Sequence, residues 1–447
     1  MTDDSIPSDA PHLVPLAGSE RAAAPAITAS APLDPDARVE ATLVLRRRAR
    51  LDEATLLVEP LEPAAFAERF GAAPADVALV RTTLEGLGLD VLETDAGTRR
   101  VRIAGPAAAV GRAFGTALEA VTRDDDGAVL RHRHRTGGLS IPAALDGVVT
   151  AVLGLDDRPQ ARTQFRIAPA AAASVGYTPV ELGAIYGFPA DTDGAGQTVA
   201  IIELGGGFET ADLTHYFTGL GITRAPSVSA VTVDGVGNAP SGDPNSADGE
   251  VVLDVEVCGA VAPAAQIVVY FAPNTDKGFL DAVNAAVHDT THDVSVVSIS
   301  WGGPESTWTT QALDAMDAAF LAASALGISV FCASGDNGSA DGETDGLAHV
   351  DFPASSPNAV ACGGTTLRTS GTSIASETVW NGSGATGGGV SDHFPVPAYQ
   401  SGVDPVSTNP GARPGRGVPD VAAVADPETG YQAVSYTHLT LPTNREV

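Results

Sequence analysis

Two acidic residues one helical turn apart are the strongest chemical signal in this sequence. They are Glu250 and Asp254, in a stretch from Asp248 to Pro263 whose apolar residues recur at helical spacing. Side chains four residues apart lie on one face of a helix, where like charges repel. One interpretation is a solvated acidic face. The other is a coupled carboxyl pair, in which one member holds a proton and the other orients it.

A third carboxyl group, that of Asp336, follows an apolar run that ends at Cys332 and is flanked by Gly335 and Gly338. An Asx turn is one interpretation of this pattern. The other is a carboxyl that donates a hydrogen bond when protonated, and so stabilises an oxyanion at acid pH.

Small residues mark another predicted strand end. Glycines there let the backbone of a substrate approach closely. A tryptophan in such a run suits packing and function about equally. The run is Ser300, Trp301, Gly302 and Gly303.

From Tyr177 onward, apolar strands alternate with helices, which predicts a parallel sheet covered by helices on both faces. Sites in such sheets lie beyond the carboxyl ends of the strands, where Ser300 and Asp336 fall. The predicted strands are Gln197–Leu204, Gln266–Phe271, Val294–Ser300 and Ile328–Cys332, and the helices are Gly278–His288 and Gln311–Leu326.

The chain before Tyr177 predicts a smaller α+β domain. Residues 1–33 are rich in Ala, Pro, Ser and Asp and are expected to be disordered. Residues 156–176 contain Arg-Pro, Ala-Pro and an alanine run, and are expected to form an exposed linker. The predicted elements between them are Val39–Leu45, Pro63–Phe70, Ala75–Leu87, Asp90–Glu93, Arg99–Ile103, Ala107–Phe114 and Val148–Leu153.

The charge is extreme and uneven. The formal net charge is −30 over 447 residues, with −5 in residues 1–172 and −25 in residues 173–447. The second half is therefore not expected to bind nucleic acid, and the N-terminal part could cover its acidic surface. No apolar run is long enough for a bilayer, and the N-terminus lacks the pattern of a classical signal peptide. The three cysteines lack metal-ligand spacing and are interpreted as small buried hydrophobes.

Several runs together resemble the sedolisins, the serine-carboxyl peptidases with a subtilisin fold: D-G-E-V-V-L-D-V-E-V, V-S-I-S-W-G-G-P-E, A-S-G-D-N-G-S and D-G-L-A-H-V-D-F-P-A-S-S-P. The resemblance implies a subtilisin-like α/β domain, with helices on both faces of a parallel sheet, preceded by a smaller α+β prodomain. It places an activation prodomain at 34–155, a linker with the maturation site at 156–176, an incomplete catalytic domain at 177–434 and an unrelated tail at 435–447. By alignment the mature enzyme would begin near Ala173.

The same resemblance implies roles for individual residues. Glu250 matches the general base that takes the proton of a serine nucleophile, Asp254 matches the carboxyl bonded to it, and Asp336 matches the oxyanion-hole residue. Ser300, Trp301, Gly302 and Gly303 match the strand that binds the substrate backbone. Glu203 and Trp301 match an extended carboxyl network, and Asp351 matches a residue that shapes a substrate subsite.

The resemblance also implies partners and a setting. The partners are protein or peptide substrates and the chain's own prodomain, acting as inhibitor and folding chaperone, and the location is extracellular. The family binds calcium near its C-terminus, but the expected C-terminal ligands are absent from this sequence, so no residue is assigned to a metal.

The pattern breaks after Val434. The family carries its nucleophile in a G-T-S-x-x-x-P run, but this chain reads S-Y-T-H-L-T-L-P-T-N-R-E-V, so the chain as written is expected to be unable to acylate. A similar run, Ser370 to Ala375, is not followed by an apolar helix and is predicted to be a hairpin turn.

Three hypotheses remain open from the sequence. The chain is an acid endopeptidase zymogen without its nucleophile, a non-catalytic protein that binds peptides in the same cleft, or an unstable chain whose sheet is left uncovered.

Overall fold

The computed structural model describes residues 11–51, 59–125, 127–165 and 176–433. These residues fall into two compact units. The first comprises Met1–Pro159, with Thr275–Lys277 and Trp308–Ala315, and the second comprises the rest of the chain.

Within residues 11–51, 59–125 and 127–159, the first unit is built from antiparallel sheets and three α-helices. Its strands are β1 Leu13–Arg21, β2 Ile27–Pro32, β3 Arg38–Leu45, β4 Asp90–Asp95, β5 Arg100–Pro106, β6 Glu119–Asp125, β7 Ala128–His134, β8 Gly137–Pro142 and β9 Val149–Leu153. Its helices are α1 Pro63–Phe70, α2 Pro74–Glu85 and α3 Ala107–Phe114. The sheets have the strand orders β4-β5-β3-β9, β2-β6-β7 and β1-β8. Leu43, Val101, Ile103, Val110 and Phe114 lie in the apolar core between them.

The prediction of disorder for residues 1–33 is wrong for the part that the structure describes as strand. β1 pairs antiparallel with β8, and β2 pairs antiparallel with β6. Leu16 and Ser19 in β1 are buried. Composition did not reveal these strands, because their stability comes from partner strands about a hundred residues away rather than from a local apolar pattern.

The second unit contains the larger sheet. Its strands are β10 Arg162–Thr163, β11 Thr198–Glu203, β12 Ser227–Thr232, β13 Gln266–Phe271, β14 Val296–Ile299, β15 Trp301–Pro304, β16 Ser329–Ala333, β17 Asp351–Phe352, β18 Val360–Ser370, β19 Ser373–Val379, β20 Gly389–Val390, β21 Gly417–Val418 and β22 Val421–Val424. Its helices are α4 Pro179–Ile185, α5 Thr210–Gly219, α6 Ala247–Val261 and the larger part of α7 Asp276–Val287 and of α8 Thr310–Ala325, whose first residues are assigned to the first unit.

The main sheet has the order β12-β13-β11-β14-β16-β18-β19, with β22 also paired to β18. All of its pairings are parallel except that of β18 with β19. The predicted α/β fold is therefore confirmed. Because the strands are parallel, the residues that end β11, β14 and β16 meet at one edge.

The run from Ser370 to Ala375 lies at the turn between β18 and β19, where Ser370 pairs with Ser373 and Gly371 has φ 62°. The predicted hairpin is confirmed, and Ser373 begins a strand rather than a helix. Ala173 and the tail 435–447 lie outside the described residues. No helix among the described residues is both long and apolar enough to cross a membrane.

Candidate active site

Helix α6 places the paired carboxyl groups. Ser246 caps its N-terminus by accepting a hydrogen bond from the backbone N–H of Asp248. Val251 and Val255 are fully buried in the core beneath the helix. Glu250 is only 1% exposed, whereas Asp254 is partly buried. The solvated acidic face is therefore not what forms, because the carboxyl of Glu250 is turned away from water.

Burial and mutual repulsion make this carboxyl cluster hold protons. The pKa of Glu250 lies well above its ordinary value because the group is buried, and because Asp254, Glu203 and Asp336 add negative charge nearby. Burial also raises the pKa of Asp254 to about 7, although a hydrogen bond from Ser300 opposes the shift. Oε2 of Glu250 is buried without a hydrogen-bond partner. This atom is free to accept a proton from a neighbouring group.

Side-chain hydrogen bonds from Ser300 and Trp301, at the start of β15, hold the carboxyl groups of Asp254 and Glu203. The Ser300 hydroxyl donates to both carboxylate oxygens of Asp254, at 2.9 and 2.8 Å. The Trp301 indole N–H donates to Oε2 of Glu203 at 2.7 Å. Glu203 is fully buried at the end of β11, and its pKa is raised by burial and by the charge of Asp254. Trp301 therefore orients a buried carboxyl group in addition to packing.

Asp336 lies in the turn that follows β16. Gly335 has φ 101° and Gly338 has φ 66°, values that L side chains rarely adopt. The turn is held by hydrogen bonds from the Ala385 N–H to the Asp336 carbonyl at 3.2 Å and from the Gly387 N–H to the Gly335 carbonyl at 2.6 Å. The charge of Asp336 raises the pKa of Glu250. The third predicted carboxyl thus belongs to the same electrostatic cluster as the other two.

Strand β15 is paired with a segment of the chain itself. Arg162 lies opposite Gly302 and Thr163 lies opposite Trp301 in an antiparallel pairing. The next backbone N–H, of Gln164, donates to the Ser300 carbonyl at 2.9 Å. Within the predicted linker at 156–176, residues 162–164 are therefore paired rather than free, because β15 offers an edge that their backbone satisfies.

The paired segment also reaches helix α6. A backbone hydrogen bond from Gln164 lowers the pKa of Glu250, against the effect of burial. The ring of Phe165 packs so closely on the helix that a Cβ on Gly249 would come within 2.8 Å of it. The main chain at residues 164–165 therefore lies beside the predicted general base.

A second carboxyl pair lies beside β15. Asp351 is 1% exposed and accepts a hydrogen bond from the Gln164 side chain at 3.0 Å. Its pKa is well above the ordinary value because of burial and of the charge of Asp341, whose own pKa burial raises to about 7. A Cβ on Gly302 would collide with the Asp351 carboxylate. Asp341, with φ 48°, was not predicted as a site residue, because the following Gly342 is the one local sign of its turn.

One group within the described ranges has the composition of a metal site: His132, His134 and Asp156, all buried in the first unit. Calcium prefers oxygen ligands, so a site with two imidazoles does not suit it. Moreover, the Arg158 guanidinium lies 2.8 Å from His134 and 2.7 Å from Asp156. The positive charge is already supplied by an arginine, and we assign no metal to these residues.

Comparison with known proteins shows the family of this chain. The family described as "Pro-kumamolisin, activation domain" matches residues 26–158. Kumamolisin of Bacillus sp. (strain MN-32) is 49% identical over 446 aligned positions, which cover 94% of this chain and 79% of that protein. This chain belongs to the sedolisin family. As a sedolisin it is a serine-type peptidase zymogen that carries a prodomain.

Further relatives are more distant. Tripeptidyl-peptidase sed5 of Aspergillus fumigatus is 28% identical, with 92% of this chain and 79% of that protein covered. A solved structure of Pseudomonas sedolisin, a serine-carboxyl proteinase with bound pseudo-iodotyrostatin, is 32% identical at a TM-score of 0.49, and the match covers 59% of this sedolisin and 74% of that chain. The "Subtilase family" description matches residues 236–446, a range that includes most of the tail predicted to be unrelated.

Proposed function

We propose that this sedolisin is the zymogen of an acid-active endopeptidase that cleaves peptide bonds through a serine ester. Glu250 is the general base, Asp254 is the carboxyl that orients it, and Asp336 is the oxyanion donor. The observation that carries the proposal is the convergence of these carboxyl groups beside β15, which holds an extended peptide by backbone pairing.

The chemistry follows from the protonation states. A serine hydroxyl attacks the carbonyl carbon and its proton passes to Glu250, while Asp336 donates a hydrogen bond to the developing oxyanion. The C–N bond then breaks, and the leaving amine takes the proton from Glu250. Water next attacks the ester by the same route and releases the acid. A carboxylate base, unlike a histidine, can still lose its proton in acid, and an Asp336 donor must keep its proton, so both roles belong to acidic rather than alkaline conditions.

In the zymogen, residues 162–165 occupy the edge of β15 that a substrate would need. We infer that the chain's own segment blocks the cleft until it is cut or displaced. The binding strand comprises Ser300, Trp301, Gly302 and Gly303, and Asp351 lines the subsite that receives the Gln164 side chain. The proposed substrates are extended peptides or unfolded protein segments, and the proposed location is extracellular.

The nucleophile does not come from a recognised serine motif in the printed sequence. The Gly-Thr-Ser at 371–373 forms a hairpin, and the residues after Val434 contain no second copy. We therefore propose that this chain supplies the base, its partner and the oxyanion donor, and that it does not acylate by itself. Calcium binding by the family remains a proposal without assigned ligands.

The test is to replace the tail after Val434 with a family-like segment that contains Gly-Thr-Ser. The expected result is pepstatin-insensitive proteolysis at roughly pH 3–4, where carboxyl groups titrate. Glu250→Gln in the repaired chain is the matched control and is expected to abolish cleavage. A repaired, folded chain that stays inert after acidification would contradict the proposal.

The alternative is a non-catalytic protein that grips peptides along β15. It is favoured by one observation, namely that β15 already holds an extended segment without a serine motif nearby in sequence. Sequencing the 3′ end of the gene separates the two functions. If the reading frame continues into a Gly-Thr-Ser segment the alternative fails, and if it ends with the printed tail the alternative gains.

A further inference from the structure

A buried cluster of charged and titratable groups lies in the first unit, away from the carboxyl cluster. His132 and His134 are two residues apart on β7 and share one face of the strand. Asp156 and Arg158 follow the end of β9. His132 is 7% exposed, His134 is 2% exposed and Asp156 is 1% exposed. The proposed chemistry of the peptidase uses none of these groups.

Arg158 joins the histidine to the aspartate. Its Nη2 atom lies 2.8 Å from Nδ1 of His134 and 2.7 Å from Oδ2 of Asp156, and its Nε donates to Oδ1 of Asp156 at 2.8 Å. A guanidinium group can only donate hydrogen bonds. Nδ1 of His134 is therefore the acceptor, and the neutral ring carries its proton on Nε2. Nδ1 and the Asp156 carboxylate, 3.2 Å apart, share one donor.

His132 lies beside this contact without a hydrogen bond of its own. Both of its ring nitrogens are buried and have no partner, and the ring meets that of His134 edge-on with centroids 5.7 Å apart. The charge of Arg158 lowers the pKa of both histidines, in addition to the larger effect of their burial. Asp156 opposes the shift in both cases.

The remaining charged groups around the cluster are of both signs. Arg21 on β1 lies 3.6 Å from Asp156, and the Arg135 backbone N–H donates to Asp156 at 3.1 Å. Asp157 acts on His132, and Glu119 on β6 acts on His134. Asp276, which belongs to the same unit, lies 4.0 Å from Arg21. Arg133 also lies 3.4 Å from Asp157. A further positive charge on these rings is therefore opposed mainly by their burial and by the charge of Arg158, and partly offset by the nearby carboxylates.

We propose that His134, with His132 beside it, Asp156 and Arg158, is an acid-sensitive catch that holds the start of the linker at neutral pH and loosens when His134 takes up a proton. The new proton must go on Nδ1, which faces the Arg158 donor. Protonated His134 can then donate a hydrogen bond from Nδ1 to Asp156, so that Asp156 replaces Arg158 as the partner of His134. Arg158 then loses its contact with His134 but keeps hydrogen bonds to Asp156 and to the Ala22 carbonyl, so the hold on residues 156–158, which precede Pro159 and the paired segment, is weakened rather than abolished.

The pH window follows from linkage. A histidine whose pKa is lower in the folded state than in the unfolded chain disfavours folding only where the unfolded chain is protonated. The catch is therefore fully effective above the ordinary histidine pKa of about 6.5, and it weakens progressively as the pH falls below that value. A role of the catch in activation rests on the acid-active zymogen proposed above. The exchange measurement below tests the catch itself and does not require that proposal.

Hydrogen–deuterium exchange of the full chain tests the catch. The reporter is the Asp157 backbone N–H, which donates to the Arg133 carbonyl at 3.1 Å. After correction for the intrinsic rate, its exchange is expected to rise about tenfold from about pH 7.5 to about pH 5, for each unit by which folding lowers the His134 pKa. His134→Asn keeps an acceptor near Nδ1 that cannot titrate, and is expected to remove this rise. His12→Asn, at an exposed histidine of the same unit, is the matched control and should behave as the wild type.

Three results would overturn the proposal. The first is no change in Asp157 exchange across this pH range in the wild type, and the second is an equal rise in His134→Asn. The third is protection of the segment by added zinc at neutral pH, which would make the cluster a metal site. If His134→Asn does not fold, nuclear magnetic resonance of the wild-type rings decides: His134 must titrate below about pH 6.5, and an ordinary or raised pKa would refute the catch.

Discussion

Replacing Asp254 with asparagine tests whether the ionised carboxyl of Asp254 lowers the free energy of unfolding at neutral pH, as its buried surroundings indicate. Burial raises the Asp254 pKa from 3.8 to about 7. A carboxyl whose pKa is raised on folding stabilises the protein fully below its unfolded pKa, and this contribution is lost as the pH rises through the folded pKa. The wild type should therefore be more stable in acid than at neutral pH, with the change concentrated between about pH 4 and pH 7.

The size of the effect follows from the shift. One pKa unit corresponds to about 1.4 kcal/mol, so the full shift would stabilise the fold by roughly 3 kcal/mol on going from pH 7.5 to pH 4.5. Asp254 is only partly buried, and solvent screening should reduce this gain to about half. The asparagine side chain is uncharged and can still accept the Ser300 hydroxyl hydrogen bond, so Asp254→Asn is expected to be more stable than the wild type at neutral pH and equal to it in acid.

Equilibrium unfolding in urea at several pH values, followed by tryptophan fluorescence, measures the difference between the two chains. Asp191→Asn is the matched control. It removes the same charge at an exposed site in the same unit, and so shows how much of the effect comes only from reducing the net charge of −30. The reasoning fails if Asp254→Asn and the wild type gain the same stability on acidification, or if Asp191→Asn reproduces the effect.

Three further changes probe the same site. Asp336→Asn in the chain with a restored nucleophile should lower kcat by roughly 10²–10³ with little change in KM, measured at acid pH on a peptide substrate, because an oxyanion donor acts in the transition state. Trp301→Phe removes the donor to the buried Glu203 and should cost about 1–3 kcal/mol in the free energy of unfolding, measured in urea at neutral pH; an unchanged midpoint would mean that the indole bond is not formed. Ser300→Ala removes the hydrogen bond that lowers the Asp254 pKa, so carbon nuclear magnetic resonance of this carboxyl should show a higher midpoint, and a lower one would contradict the assignment.

The sequence by itself determined those features that depend on neighbours within a few turns. The spacing of Val251, Val252 and Val255 predicted a helix, and α6 forms over Ala247–Val261. The same spacing placed Glu250 and Asp254 on one face. The predicted Pro63–Phe70, Ala107–Phe114 and Gln266–Phe271 agree with the structure at both ends. These segments carry their own pattern of apolar residues, and the pattern is read from the local chain.

Tertiary structure alone decided which distant segments meet and which charges are buried. The pairing of Arg162 with Gly302 spans 140 positions, and the pairing of β1 with β8 spans more than a hundred. Neither leaves a local signal, because a backbone edge accepts almost any extended segment. Asp341 beside Asp351 and His134 beside Arg158 were equally invisible in the sequence. Their pKa values depend on burial and on through-space charge, and these exist only once the chain has folded.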